Sequence, residues 1–318
     1  MNKVPDAYDS HDADYFLREA VSNLKGKIDF LYYGGLDEEG EDAALEFYEK
    51  LKISTDTLYG MLTSNIVEKA NRINHLHGLV VSDLELARKI QESILPGAVA
   101  IDGLALCARY IPMAVVGGDI YDITELRPGY ARIFLADATG HGVQAALITM
   151  IIKSVYEMVK SRAATPAALL DEMNGIFTRV YRSLGTFFTC IVVDIDLQGR
   201  TLSYASAGHP VQYLAGDDGA FTALEHTGKL IGLTGDHPYR MISHPLPRAG
   251  KLLLFTDGLY EEYNASMEEY GEKRLRALLE ENRGLGIEKI VGRALDGVMG
   301  FIGGQDLHDD ITIICAGW

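Results

Sequence analysis

The stretch GGDIYDITELRPGYARIFLADATGHG, residues 117–142, constrains the fold more than any other part of the chain. Two alternating apolar runs flank the turn signal Arg127-Pro128-Gly129, which predicts a β-hairpin. Counted outward from Pro128, Asp119 falls opposite Asp137, Tyr121 opposite Leu135 and Ile123 opposite Ile133. Facing residues of an antiparallel pair share one face, with Cβ atoms about 5 Å apart. The ladder therefore ends in two opposed carboxylates, which repel each other and become costlier still with burial.

A divalent cation relieves that repulsion, and Mg²⁺ and Mn²⁺ prefer carboxylate and carbonyl oxygen. The glycines after Asp137 let the chain turn tightly enough to aim the Ala138 carbonyl at the same ion. The plainer alternative is that both aspartates are solvent-facing strand ends or helix caps. Two further runs favour metal. KLLLFTDGLYEEYN ends an apolar strand in Asp257, and HDDITIICAGW opens one with Asp309 and Asp310. Four strand ends presenting acid match the oxygen count of a site for two ions that share an activated water.

Around this hairpin the chain falls into two textures. Residues 10–95 are rich in helix formers and lack proline, while from Pro96 onward short strand-like runs alternate with turns and longer helical segments. Ile66, Ile73, Val80, Ala87 and Ile94 recur every seven residues, with Leu76 and Ile90 between them, and Pro96-Gly97 ends the helix. The repeat predicts either a coiled-coil seam, hence a homodimer, or one helix of an intramolecular bundle. We therefore expect a helical regulatory or dimerising region over 1–83, a linker helix over 84–96 and a catalytic domain over 97–318. Within the last, Thr165 and Pro166 cap and start one helix, LQGR joins two strands, and Val143, Leu147, Met150, Ile151, Val155 and Met158 mark the core face of another helix.

A net charge of −16 over 318 residues disfavours a nucleic-acid partner, since a phosphate backbone needs a basic surface. No run of about eighteen apolar residues and no basic-then-apolar start are present, so we expect a cytoplasmic protein without membrane association. Cys107, Cys190 and Cys315 lie far apart in apolar runs and read as small buried hydrophobes.

In order, LARKIQESILP, YIPMAVVGGDIYDI, ADATGHGVQAAL, GTFFTCIVVDID, SAGHP, LIGL, LLLFTDGLYEEYN and DDITII resemble the metal-dependent PPM serine/threonine phosphatases, in their bacterial SpoIIE/RsbU-type branch. The likeness covers roughly residues 84–318. It implies an α+β fold, an antiparallel β-sandwich flanked by helical layers, preceded by an all-α region and a long linker helix. It also implies two Mn²⁺ or Mg²⁺ ions as cofactors. Asp137 then resembles the carboxylate bridging both ions, with the Ala138 carbonyl on one of them. Asp119 matches the acid of the GGD motif, Asp257 that of TDG and Asp309 the first acid of DD. Asp310 is an accessory to that pair, and Asp122 orients its surroundings.

The implied chemistry is hydrolysis of phosphoserine or phosphothreonine by an activated water, in line with the departing side-chain oxygen and without a phosphoenzyme. His141 and His209 are candidates either for proton donation or for bracing their loops, and Arg109 is a candidate phosphate contact. SAGHPVQYL departs from the Asn-containing continuation usual after that histidine. By analogy the substrate is a phosphorylated STAS-domain antagonist of an anti-sigma factor, with an activator acting at the N-terminal helical region. The competing expectation is a catalytically degenerate phosphatase fold that serves as a protein-binding regulator; all four metal acids being in place speaks against it.

Overall fold

The computed structural model describes Ser22, Gly26 and residues 38–318 other than 141, 218 and 236. The chain divides into two compact units, Met1–Asp83 and Leu84–Trp318. In the first, the described residues belong mainly to the helix α1 (Glu38–Ile94), which continues into the second unit and stops just before Pro96. The heptad positions Ile66, Ile73, Leu76, Val80 and Ile90 are exposed along it. So are Leu58, Met61 and Leu62.

The second unit is built on two antiparallel five-stranded sheets, ordered β1-β10-β9-β6-β7 and β2-β3-β4-β5-β8. The first contains β1 (Ala105–Ile111), β6 (Gln212–Ala215), β7 (Phe221–Leu224), β9 (Lys251–Phe255) and β10 (Ile311–Gly317). The second contains β2 (Asp119–Arg127), β3 (Tyr130–Ala138), β4 (Phe188–Asp196), β5 (Thr201–Ala207) and β8 (Ile242–Pro245). Alternation decides which core each strand side joins. Ile133, Leu135, Ile191 and Val193 point between the sheets to meet Leu252, Leu254 and Ile314. Ile120, Phe134, Ala136 and Val192 point outward, where α2 (Gly142–Val159) and α3 (Pro166–Val180) cover them. On the far side α4 (Gly271–Glu281) and α5 (Ile287–Ile302) cover Leu253, Phe255, Ile313 and Cys315. The result is the expected sandwich between helical layers.

The β2–β3 register pairs Asp119 with Asp137, Tyr121 with Leu135 and Ile123 with Ile133. A bulge between Glu125 and Arg127 and Gly129 at φ +74° absorb the turn. Thr165 accepts from the Ala168 amide at 3.2 Å, with Pro166 opening α3, and Asp196 pairs with Thr201 across LQGR. The three cysteines are buried and free.

The α2 face needs correction. Val143, Leu147 and Met158, expected in the core, are exposed, and the buried stripe is Ala145, Ala146, Ile148, Ile152, Val155, Tyr156 and Val159. Small alanines let the first turns lie close to the strand, and Tyr156 stacks on Phe134 with ring centroids 4.3 Å apart. This helix is also the described segment long and apolar enough to cross a membrane, yet half of it is buried in the fold.

Candidate metal centre

Four strand ends meet at one pole of the sandwich. Asp119 opens β2, Asp137 is the penultimate residue of β3, Asp257 follows β9, and Asp309 and Asp310 precede β10. The two sheets are tied together here through Asp119, which is 2% exposed. Its Oδ2 accepts from Thr312 Oγ1 at 2.6 Å, on β10 of the opposite sheet, and from Thr256 Oγ1 at 2.8 Å, just after β9. Neither threonine stood out in the sequence, since each reads as an ordinary strand residue.

Close backbone approach explains the glycines. A Cβ on Gly117 would lie 2.3 Å from both Asp310 Oδ2 and Tyr110 OH, one on Gly118 3.0 Å from the Ala138 carbonyl oxygen, and one on Gly258 2.1 Å from the Asp310 carbonyl oxygen. Asp310 uses that space. Its Oδ1 accepts from the Met113 amide at 2.7 Å and its Oδ2 from the Gly118 amide. Its carboxylate thus fastens the Gly-Gly strand entry.

Among the described residues, no cation is among the charges acting on Asp119 and Asp137. Burial first, then Asp257, Asp309, Asp310 and Glu261, push the Asp137 carboxyl up to about 9. Burial, with Asp137 and Asp310 beside it, holds Asp119 well above the carboxylate range against the pull of Thr312 and Thr256. Burial also raises Asp309 to about 6 and lifts Asp257 and Asp310. Acids this crowded call for added positive charge, and an all-oxygen donor set with a nearby backbone carbonyl suits a hard divalent cation. Among the described residues, however, no three His, Cys, Asp or Glu side chains are grouped around a single point. The set fits ions that keep much of their coordination from water, as Mg²⁺ does.

Asp122 does not join this cluster. Three residues along β2 and on the other face, it binds Lys153 and Thr124 and lies 3.6 Å from Lys160. Arg109, the candidate phosphate contact, turns its Nη1 onto the neighbouring Ala108 carbonyl at 2.8 Å and is not among the charges acting on the acids. His209 is buried, with Nδ1 2.9 Å from Thr189 Oγ1, and burial pulls its imidazole down to about 3, so it stays neutral and braces its loop. His141 lies outside the described residues.

Two buried side chains that sequence reasoning missed hold the acids in place. Gln91, in the last turns of α1, donates from Nε2 to the Gly117 carbonyl at 2.7 Å and accepts the Gly117 amide at 3.1 Å. Glu262, fully buried, accepts from the His308 amide at 2.9 Å, the Asp309 amide at 3.2 Å and His308 Nδ1 at 3.1 Å. One fixes the loop that delivers Asp119, the other the loop that delivers Asp309. No local pattern marks either, because their partners lie 26 and 46 residues away.

A sandwich of this topology with acids at one pole defines a PP2C-like phosphatase domain. The SiaA-PP2C domain of Pseudomonas aeruginosa shares it at a TM-score of 0.66 and 26% identity, over 76% of this chain and 97% of that domain. The sequence signature of stage II sporulation protein E (SpoIIE) matches residues 127–318, and the chain belongs to that family. Among curated relatives, phosphoserine phosphatase RsbU of Bacillus subtilis (strain 168) is 27% identical over 239 residues, 74% of this chain and 70% of RsbU. Phosphoserine phosphatase RsbP of the same organism is 28% identical over 182 residues, 56% of this chain, and the match spans only 45% of RsbP.

Proposed function

We propose that this protein is a metal-dependent phosphoprotein phosphatase that hydrolyses phosphoserine or phosphothreonine. The observation that carries the reading is the convergence of Asp119, Asp137, Asp257, Asp309 and Asp310 at one pole with their carboxyls raised by burial and mutual repulsion. Asp119, Asp137, Asp257 and Asp309, with the Ala138 carbonyl, would hold two Mn²⁺ or Mg²⁺ ions. When bound, the ions supply charge for the phosphoryl oxygens and acidify the attacking water. The protein's own part is positioning. Thr256 and Thr312 orient Asp119, Asp310 and Gln91 fasten the Gly117-Gly118 entry, and Glu262 holds the Asp309 loop. Arg109, turned onto the Ala108 carbonyl, is not assigned to the phosphate.

The substrate we favour is a phosphorylated STAS-domain antagonist in a partner-switching pathway, on the strength of the likeness to RsbU and RsbP. The exposed heptad face of α1 supports a homodimer, with an activator acting at the N-terminal helical region. Because α1 runs on to Gln91, its position is felt at Gly117 and so at Asp119.

Hydrolysis of p-nitrophenyl phosphate by the full-length protein, titrated with Mn²⁺ beside Asp137→Asn, tests the reading. Activity that requires the ion and falls about a thousand-fold in the variant supports it. Inactivity together with no calorimetric Mn²⁺ binding overturns it in favour of a protein-binding regulator. Inactivity with Mn²⁺ bound directs the search to a missing activator.

A further inference from the structure

Residues 226–240, HTGKLIGLTGDHPYR, carry Lys229, Arg240, His226 and His237 in a chain of net charge −16. The single acid of the stretch, Asp236, lies outside the described residues. The fold gathers the four basic side chains around one notch of about 630 Å³. Tyr239 builds it. Its ring is buried against Gly228 so closely that a Cβ there would lie 2.3 Å from Cδ1, and its amide is held by Asp171 Oδ1 at 3.0 Å. The two arms of the loop are thereby pinned together, with Lys229 beside one side of the contact and Arg240 beside the other. Both are exposed, and among the described residues neither has a carboxylate partner.

The notch sits beside the acid pole. Ala138 pairs with Phe188 on β4, and Phe188 is bridged in turn to Ile231 through both of its backbone groups, at 3.2 and 3.0 Å. Two strand spacings of about 5 Å put Ile231 roughly 10 Å from Ala138, with Lys229 two residues further along. An extended peptide covers about 3.3 Å per residue, so this separation corresponds to some three or four residues of a substrate.

We propose that the notch of His226, Lys229, His237 and Arg240 is a substrate-docking subsite that takes acidic side chains about three to four residues from the phosphorylated residue. This rests on the phosphatase reading for its purpose, though its binding chemistry stands separately. The metal pole is itself strongly acidic and repels an acidic segment until ions are bound. A basic subsite next to it offsets that repulsion and selects among phosphoproteins by their flanks, while a small ester that reaches only the ions is indifferent to it.

The test uses full-length protein with Mn²⁺ and two labelled phosphoserine peptides, one with Glu and one with Gln at the third and fourth positions on either side. Affinity is read by fluorescence anisotropy, turnover by kcat/KM, and the Lys229→Glu/Arg240→Glu variant is compared with wild type. The expected result is about tenfold preference for the Glu peptide in both readouts, lost or reversed in the variant, with p-nitrophenyl phosphate turnover unchanged. The preference should also shrink as salt rises. Equal treatment of the two peptides by wild type, or a preference that survives in the variant, overturns the subsite. If neither peptide nor the small ester is turned over and calorimetry shows no Mn²⁺ binding, the phosphatase reading fails, and the anisotropy still decides whether the notch binds acid.

Discussion

Asp119 and Asp122 lie three residues apart on one strand and belong to opposite regimes. Asp119 faces the other sheet among Asp137 and Asp310, with hydroxyls for partners and a carboxyl held well above its ordinary range. Asp122 faces α2. Burial pulls it up too, but Lys153, Thr124 and Lys160 outweigh that and hold it below the carboxylate range. On the same outer face Arg132, fully buried, grips Asp194 with Nε and Nη2 at 2.6 Å each and caps the carbonyls of Lys160 and Ala163. One set of buried acids is answered from within the chain and is structure. The other finds no answering cation among the described residues, which is the condition for recruiting one from outside.

The comparison breaks most sharply at Asp137. Its replacement by Asn should remove Mn²⁺ binding and nearly all hydrolysis while leaving metal-free stability unharmed or improved, because the folded state no longer has to hold a carboxyl protonated near neutral pH. The opposite region should answer in the opposite way. Asp122→Ala strands Lys153, whose side chain is only 9% exposed, and should cost about 3 kcal/mol in urea unfolding. Adding Lys153→Met should recover much of that loss; a double variant as unstable as the single one would undo the assignment.

Smaller is the effect of Glu262→Gln. A neutral amide keeps one acceptor oxygen for the His308 and Asp309 N–H groups but loses the charge and the second acceptor, so Mn²⁺ affinity should weaken about tenfold with the fold intact. pH sharpens the contrast further. Burial and the neighbouring acids hold the folded Asp137 carboxyl at about 9 against its ordinary 3.8, so the folded state holds its proton more tightly. Its contribution to stability is complete below about 4 and is lost as pH rises through about 9. The thermal midpoint of metal-free protein should therefore drift down across that window, and Mn²⁺ should flatten the drift. Least affected should be catalysis on a small ester in Ile73→Asp/Val80→Asp, where light scattering should nonetheless show a loss of dimer; unchanged mass would separate the heptad from self-association.

The β2–β3 register could be counted from the sequence because a two-residue period and a proline-glycine turn leave only one alignment that keeps Ile123 and Ile133 inside. The same kind of counting failed on α2. That segment is apolar nearly all round, so periodicity does not distinguish a face, and the alanines won the sheet because they permit close approach. The acids themselves were visible at strand ends next to glycines. Gln91, Glu262, Thr256 and Thr312 were not, since a polar residue shows its partner only once the chain has brought distant segments together.

What the sequence by itself determined is therefore local: alternation, turns, helix caps, and which strands end in carboxylate, all set by the steric and hydrogen-bonding habits of neighbouring residues. What only the tertiary structure decided is which carboxylates share a desolvated space without a cation. Electrostatic energy depends on distance and burial in three dimensions, and the sequence spacing of Asp119 from Asp122, or of Asp119 from Asp310, records neither.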